Sequence, residues 1–458
     1  MLPIDELFDK RIGLGRAQYP TILCLFLMDM SDGAQLVLSS FLNPIIKQEW
    51  QLTSSQVQTV ASVFYLGVLC GAVITGKLSD NHGRKPMILI GSFMQFAACC
   101  LFAFVRGYAS FMLVRFLYGF TFGLTIALTT SMFSEIVPTS YRGKGLLLLN
   151  FFVSIGKVFS VILAYMYLDN FNQGNWKGMM VASSFLSLMV FAGGCFFMYE
   201  SPRFQLARGL YQQSFLTLNH FIKNNNDGSC LTDEEKEGLV RWQQCTFQHV
   251  EVASISSIFQ KQYLRTTLFL GGSWFMVSYM DGGQLTILPY VFGKTEQTFT
   301  SYVLTLLGEA PTILVSLALI DRQGFGRKRS LTMFFGGAAV MHFLFSLKQA
   351  ALLSSVARTF MKLCFQMLYA FTTESYGTLN RTIGFGFCSA MGNVGATVMP
   401  FLVFPMLEVG TTVVFVSLAI AGVLGMVCSC LVPRDTLGTT LDTANEFEHI
   451  EQDKPTSN

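Results

Sequence analysis

Twelve apolar runs divide this chain, each close to the ~20 helical residues that cross a hydrocarbon core of ~30 Å. They cover roughly 19–42, 56–76, 86–105, 110–136, 145–168, 178–198, 266–291, 300–320, 330–347, 351–375, 382–404 and 410–432. Backbone in lipid must satisfy its own hydrogen bonds, so runs of this length and number call for a bundle of membrane-spanning helices. Composition agrees: of 458 residues, 52% are apolar and only 13% charged, with 44 phenylalanines and 22 methionines to fill lipid-facing and helix-packing surfaces. A net charge of +3 is too small to suggest a nucleic-acid partner.

Six runs fall on either side of a polar stretch. The predicted organisation is an N-terminal segment 1–18, a six-helix bundle 19–198, a central loop 199–265, a second six-helix bundle 266–432 and a polar, acidic tail 433–458. The first run is too long for a cleaved signal, so segment 1–18 is expected to be retained. Thr232 is placed to cap a short helix whose first turn is acidic. The short connections carry Lys77, Arg84, Lys85, Arg142, Lys144, Arg322, Arg327, Lys328, Arg329 and Arg381 on one side, and about half as many basic residues on the other. The positive-inside rule then puts both termini and the central loop in the cytoplasm. Most of the 11 cysteines lie inside apolar runs, where a thiol acts as a small hydrophobe, so neither a disulfide framework nor a zinc site is expected.

The two halves repeat three landmarks in the same order, displaced by roughly 240 to 250 residues. Asp32-Gly-Ala-Gln35-Leu in span 1 is answered by Asp281-Gly-Gly-Gln284-Leu in span 7. Gly76, Asp80, Gly83, Arg84 and Lys85 after span 2 are answered by Asp321, Gly324, Arg327 and Lys328 after span 8. Glu135 with Arg142 after span 4 is answered by Glu374 with Arg381 after span 10. The basic loops are short and glycine-bearing, so they can turn tightly at the membrane face and offer charge to helix ends. They are expected to act as cytoplasmic latches that Glu135 and Glu374 hold in one conformation and release in the other; the plainer reading is a pair of positive-inside turns.

Charges inside the spans narrow the function. A charged side chain near a span centre costs about 2.5 to 3.5 kcal/mol on insertion scales, so it usually faces a partner or a water-filled path. Asp29 and Asp32, three apart, share one helical face in span 1, and Asp281 sits similarly in span 7. Arg115 lies in span 4 ahead of Gly119 and Gly123, whose spacing permits close helix approach. Lys157 is in span 5, and Arg358 and Lys362 lie four apart in span 10. For Arg358 the alternative is snorkelling to the outer interface, for Lys157 a salt bridge with Asp29 or Asp281; Glu309 in span 8 reads as another partner. Gln35, Gln284, Tyr118, Tyr279, Gln366, Tyr369 and Trp274 are candidate linings, since amides and amphipathic aromatics grip polar solutes; simple packing is the alternative for each.

The twelve spans and both basic loops resemble the major facilitator superfamily through nearly the whole chain. Ile12-Gly-Leu-Gly-Arg-Ala-Gln18, Glu200-Ser-Pro-Arg203, Ala357-Arg358, Glu374-Ser-Tyr376 and Asp435-Thr-Leu-Gly438 resemble the branch of synaptic-vesicle-two-related proteins and organic ion transporters. The chain departs from that pattern in lacking a long cysteine-rich external loop, in Asn393 where an arginine is expected, and in Gln35 where a glutamate is common. The resemblance implies that Arg115 pairs with Asp32 and that Asp32 accepts the coupling proton. It also implies a substrate contact in span 5, at Asn150 and Lys157, where the similar sugar transporters carry glutamine; an ammonium there points away from a hexose and towards an anion.

The expected protein is an all-α, twelve-helix secondary transporter working by alternating access on a small organic ion, with an anion favoured by Lys157, Arg358 and Lys362, and with protons coupled through Asp32. An organic-cation carrier using Asp29, Asp32 and Asp281, a sugar-like solute carrier, and a non-transporting vesicle protein or receptor are the alternatives. No nucleotide-binding loop is present and the five histidines are scattered, so no enzyme, metal or cofactor is expected. The expected partners are the solute, protons and the lipid bilayer, around a monomer.

Overall fold

The computed structural model describes residues 3–225, 230–247, 255–294, 299–312, 315, 326–376, 380–433 and 435. They fall into two units, residues 1–53 with 63–250, and 54–62 with 251–458.

The first unit opens with α1 (Ile4–Leu7), which continues as a π turn over Phe8–Ile12. The long helices follow: α2 (Tyr19–Glu49), α3 (Ser54–His82, in this unit from Val63 onward), α4 (Arg84–Leu101), α5 (Tyr108–Ile136), α6 (Thr139–Tyr167) and α7 (Trp176–Phe197). A two-stranded ribbon, β1 (Leu168–Asn170) with β2 (Gln173–Gly174), joins α6 to α7. Breaks fall where the chain chemistry demands them. Gly83, at φ +103°, turns α3 into α4, and Asn175 starts α7 by accepting the Gly178 amide at 2.9 Å. At 31 residues α2 is ~46 Å long, more than a bilayer core requires.

Two close crossings shape this unit. A Cβ on Gly33 of α2 would fall on the Val153 carbonyl of α6, and one on Gly156 of α6 would fall on the Met30 carbonyl of α2. The second crossing joins α3 to α5: Gly67 and Gly71 face the backbone around Gly119 and Gly123, and the reverse holds as well. The first crossing has one glycine on each helix and the second two glycines four apart on each, which lets the backbones touch.

The central loop is not merely polar. It folds into α8 (Pro202–Ala207), α9 (Tyr211–Asn225) and α10 (Asp233–Phe247). Leu206, Leu218, Phe221, Ile222, Leu231 and Leu239 bury themselves with Ile4, Leu7, Phe8 and Ile12 of the N-terminal segment. The segment 1–18 and the loop, expected as separate pieces, therefore share one hydrophobic cluster. The capping of α10 is as expected: the Thr232 hydroxyl accepts the Glu235 amide at 3.3 Å while the Glu235 carboxylate accepts the Thr232 amide at 2.8 Å.

Asp5 fastens this layer to the bundle by pairing with both Arg142 and Arg203, and Asp9 accepts from the amide and hydroxyl of Thr139. Burial alone would raise the Asp5 carboxyl, but the two guanidiniums outweigh it and hold it below the ordinary carboxylate value. Asp5 thus stabilises docking above the ordinary value near 3.9, and that contribution fades as pH falls through the lower folded value. At neutral pH, D5N is expected to raise the rate at which trypsin cuts at Lys10 and Arg11; an unchanged rate would mean the apolar cluster alone holds the segment.

The second unit contains α11 (Lys261–Lys294), α12 (Phe299–Leu307), α13 (Arg327–Leu347), α14 (Ala351–Glu374), α15 (Arg381–Val409) and α16 (Thr411–Leu431). Here α13 packs on α16, with Gly422 against Ala339 and Gly425 against Phe335. Among the described residues, nine helices are long and apolar enough to cross a membrane. Spans 7 and 10 are helical at α11 and α14 but are not among the nine, because their interiors carry polar and charged side chains such as Asp281, Arg358 and Lys362. Span 8 and the tail lie partly outside the described residues.

Candidate functional site

Both units build the same ion pair from the basic loops. Arg84, at the start of α4, meets Glu135 at the end of α5 at 3.1 Å. Arg327, at the start of α13, meets Glu374 at the end of α14 at 3.2 Å. In the first unit Arg84 also touches Asp80 at 3.4 Å. Glu200 receives the Arg84 amide at 3.0 Å and the Lys85 amide at 3.3 Å, capping the free N–H groups of α4. Burial raises the Glu200 carboxyl despite these donors. Gly83 leaves the room this needs, since a Cβ there would strike the Glu200 carboxylate. Gly76 has open space around it. Arg142 is not the partner of Glu135; it is taken by Asp5. Glu374 is held by Arg327, while Nε and Nη2 of Arg381 are enclosed without a hydrogen-bond partner among the described residues. Asp321 and Gly324 lie outside the described residues, and Lys328 donates to the Val432 carbonyl at 2.7 Å.

Deeper in the first unit, Asp29, Asp32, Gln35, Arg115 and Lys157 are all buried. The Thr125 hydroxyl lies 3.0 Å from both oxygens of Asp32. No ion pair joins Asp32 to Arg115. Arg115 donates instead to the Ser39 carbonyl at 2.7 Å and to Asn43 Oδ1 at 2.9 Å, between the rings of Phe64 and Phe111. The implied pair fails on helix geometry: Ser39 is seven residues beyond Asp32, or ~10 Å along α2, so Arg115 reaches α2 two turns too far out. Both amide atoms of Gln35 are enclosed without a hydrogen-bond partner among the described residues. Tyr118 is fully enclosed against Phe64 and Phe102 and packs the core instead of lining a path. Asn150 is half-buried and donates to the Leu146 carbonyl at 3.3 Å.

The second unit does form an aspartate–arginine pair. Asp281 of α11 sits 2.8 Å from Arg358 of α14, and Arg358 is also bound by Glu309, at 3.2 Å through Nε and through Nη2. Arg358 is therefore not snorkelling; at 1% exposure it lies inside the unit. The sequence carries a signal for this position. Arg358 follows Arg115 by 243 residues, the displacement that also separates Arg327 from Arg84. Glu309 has Leu66 at the same displacement in the first repeat, so the acid that binds Arg358 has no counterpart there.

The remaining candidates of this unit are dispersed. Gln284 donates to the Ser354 hydroxyl at 2.8 Å, its Oε1 unpartnered among the described residues. Gln366 donates to Thr312 at 3.4 Å and Tyr279 meets Ser417 at 3.4 Å. The Trp274 indole donates to Thr372 at 3.0 Å, edge-on to Tyr369 at 4.9 Å. Lys362 and Asn393 are half-buried on α14 and α15. No group of three or more metal-ligating side chains occurs among the described residues.

Each unit thus combines long apolar helices with buried charge and an arginine–glutamate pair from its basic loop, an arrangement in keeping with a membrane transporter. A Major Facilitator Superfamily model matches residues 21–347, and the chain belongs to that superfamily. It is 28% identical to the synaptic vesicle 2-related protein of Xenopus laevis, covering 97% of this chain and 84% of that protein. It is 24% identical to a putative niacin/nicotinamide transporter of Bacillus subtilis, covering 90% and 94%. The inward-open structure of the xylose transporter XylE from E. coli superposes with a TM-score of 0.73 at 16% identity, covering 94% of this chain and 99% of that one, which shows the shared fold. The protein is a multi-pass membrane transporter for organic solutes, not an enzyme.

Proposed function

We propose that the protein is a proton-coupled carrier of a small organic ion, with an anion favoured. It sits as a monomer in the plasma membrane or a vesicle membrane, with both termini cytoplasmic. The observation that carries this reading is the fully enclosed Gln35 amide, which lacks a hydrogen-bond partner among the described residues and is three residues from buried Asp32 on α2. An unpaired buried amide costs free energy that a polar cargo group can return. Buried Lys157 supplies positive charge in the same unit, and the bacterial relative named for niacin and nicotinamide is in keeping with a small organic solute. Asp32 has the Thr125 hydroxyl against both its oxygens and no ion-pair partner among the described residues, which leaves it a candidate to take up the coupled proton. The Arg84–Glu135 and Arg327–Glu374 pairs serve as latches for one access state.

Purified protein in proteoliposomes, tested with labelled organic anions, cations and sugars with and without a proton gradient, tests this directly. Anion uptake that rises with an inward proton gradient is expected. K157Q is expected to lower it by about tenfold, equivalent to ~1.4 kcal/mol, and D32N to abolish gradient-driven accumulation while leaving exchange intact. Wild-type accumulation by D32N would remove Asp32 from coupling. A cation reading has one specific support, the excess carboxylate beside Arg358; accumulation of organic cations alone would establish it.

A further inference from the structure

The run Gly13-Leu-Gly-Arg-Ala-Gln18 leads the chain into α2, and most of its residues are explained by one lattice of hydrogen bonds. Gln18, fully buried, donates to the Gly13 carbonyl at 2.8 Å and accepts the Gly15 amide at 3.0 Å. Asn225, which ends α9, donates to Gln18 Oε1 at 2.7 Å and accepts the Ala17 amide at 3.0 Å. Gly13 sits at φ +63°, and a Cβ on Gly15 would strike the Asn225 side chain. The turn therefore accounts for both glycines and the glutamine, but not for Arg16. Arg16 is exposed, and no ion pair or hydrogen bond engages its side chain among the described residues. Gly15 and Ala17 are tethered on either side of it, so the base of the side chain is fixed.

Arg16 lines a cavity of about 350 Å³ where the start of α2, the end of α7 and the outer side of α9 meet. One wall is apolar and open: Phe196 and Phe197, 81% and 58% exposed, end a helix long and apolar enough to cross a membrane. The other wall is polar. There His220 is stacked on Tyr199 at 4.4 Å, and Asn224 donates to the His220 carbonyl at 2.8 Å. Both characters continue along α9, where exposed Leu216 lies one turn from His220 and exposed Lys223 flanks Asn224. No acidic residue lines the cavity among the described residues. Glu200, next to Tyr199, is turned to the amides of Arg84 and Lys85.

We propose that this cavity holds the head group of an anionic phospholipid. Arg16 pairs with the phosphate, a ring N–H of His220 donates to it, and the acyl chains leave across Phe196 and Phe197. A guanidinium matches phosphate oxygens, and basic pockets at the ends of spans take lipid head groups. A soluble phosphate would use Arg16 but leave the phenylalanines uncovered, whereas a zwitterionic lipid would bring its own cation to the guanidinium. Occupancy ties α9 to the ends of α2 and α7, so the lipid braces the layer of α1, α8, α9 and α10 on the bundle. The assignment is independent of which solute is carried.

The test is native mass spectrometry of the full chain in dodecyl maltoside, titrated separately with dioleoyl phosphatidylglycerol, dioleoyl phosphatidylcholine and glycerol phosphate. Wild-type protein is expected to hold one phosphatidylglycerol about tenfold more tightly than either of the others. R16Q is expected to lose that preference over phosphatidylcholine. F196A/F197A is expected to weaken phosphatidylglycerol by about fivefold and to leave glycerol phosphate unchanged. All three side chains are exposed, so these variants keep the buried lattice of Gln18 and Asn225. K348Q removes an exposed cation at the end of α13 and is expected to bind like wild type, which controls for a general effect of lost charge. R16Q with wild-type selectivity, or K348Q with the same loss as R16Q, overturns the site. Glycerol phosphate held as tightly as phosphatidylglycerol, and released by R16Q, overturns the lipid in favour of a soluble phosphate.

Discussion

Arg358→Met is expected to destabilise the protein by about 3 to 5 kcal/mol, the cost of stranding buried charge after one partner of an ion pair is removed. The effect is large because Glu309 is entirely enclosed and loses the guanidinium that binds it. Asp281, partly open, can still draw on water. The readout is the unfolding midpoint in detergent at a fixed scan rate, with a fall on the order of 10 °C expected. Adding Glu309→Met should recover most of that loss, since a buried pair replaced by well-packed apolar side chains is often neutral. If the single variant melts like wild type, the cluster is already solvated and its charges are not stabilised by one another. Stability and transport should separate here: R358M/E309M is expected to be stable and inactive.

That cluster also marks how far the sequence could be read. The spans were legible because lipid imposes a length on every apolar run, and the latches because each is a short motif present twice. Asp281 and Arg358 were both singled out, but as separate contacts for cargo. Their pairing depends on the rotation of α11 and α14 about their axes, which no local pattern reports. The resemblance to sugar carriers put the aspartate–arginine pair in the first repeat, at Asp32 and Arg115, where helix offset prevents it. Comparing the two halves at the displacement that relates Arg84 to Arg327 would have pointed to the second. The layer built from α1, α8, α9 and α10 was missed for a different reason: Phe221 and Ile222 find their partners in Ile4 and Phe8, some 210 residues earlier, and each piece alone is too short and mixed to read as core.

The crossing of α3 with α5 was half legible, since Gly119 and Gly123 stood out while Gly67 and Gly71 did not. Gly119→Val is expected to cost about 3 kcal/mol, the upper part of the usual overpacking range. The magnitude follows from what the new side chain meets. A Cβ at Gly119 would overlap the Phe64 carbonyl and lie about 3.1 Å from its Cα, and backbone cannot step aside as a flexible side chain can. The neighbouring glycines leave no slack, because Gly67 and Gly71 press on the α5 backbone from the other direction. The helices must therefore separate along the whole contact, and Arg115, one turn from Gly119, moves with α5 away from the Ser39 carbonyl that accepts its proton. Detergent melting should show the loss, and Gly119→Ala a smaller one. Substituting alanine at Gly76, where nothing lies within 4 Å, is the matched control and should leave the melting midpoint unchanged. If Gly119→Val and Gly76→Ala behaved alike, backbone contact between α3 and α5 could not be what brings Arg115 to α2.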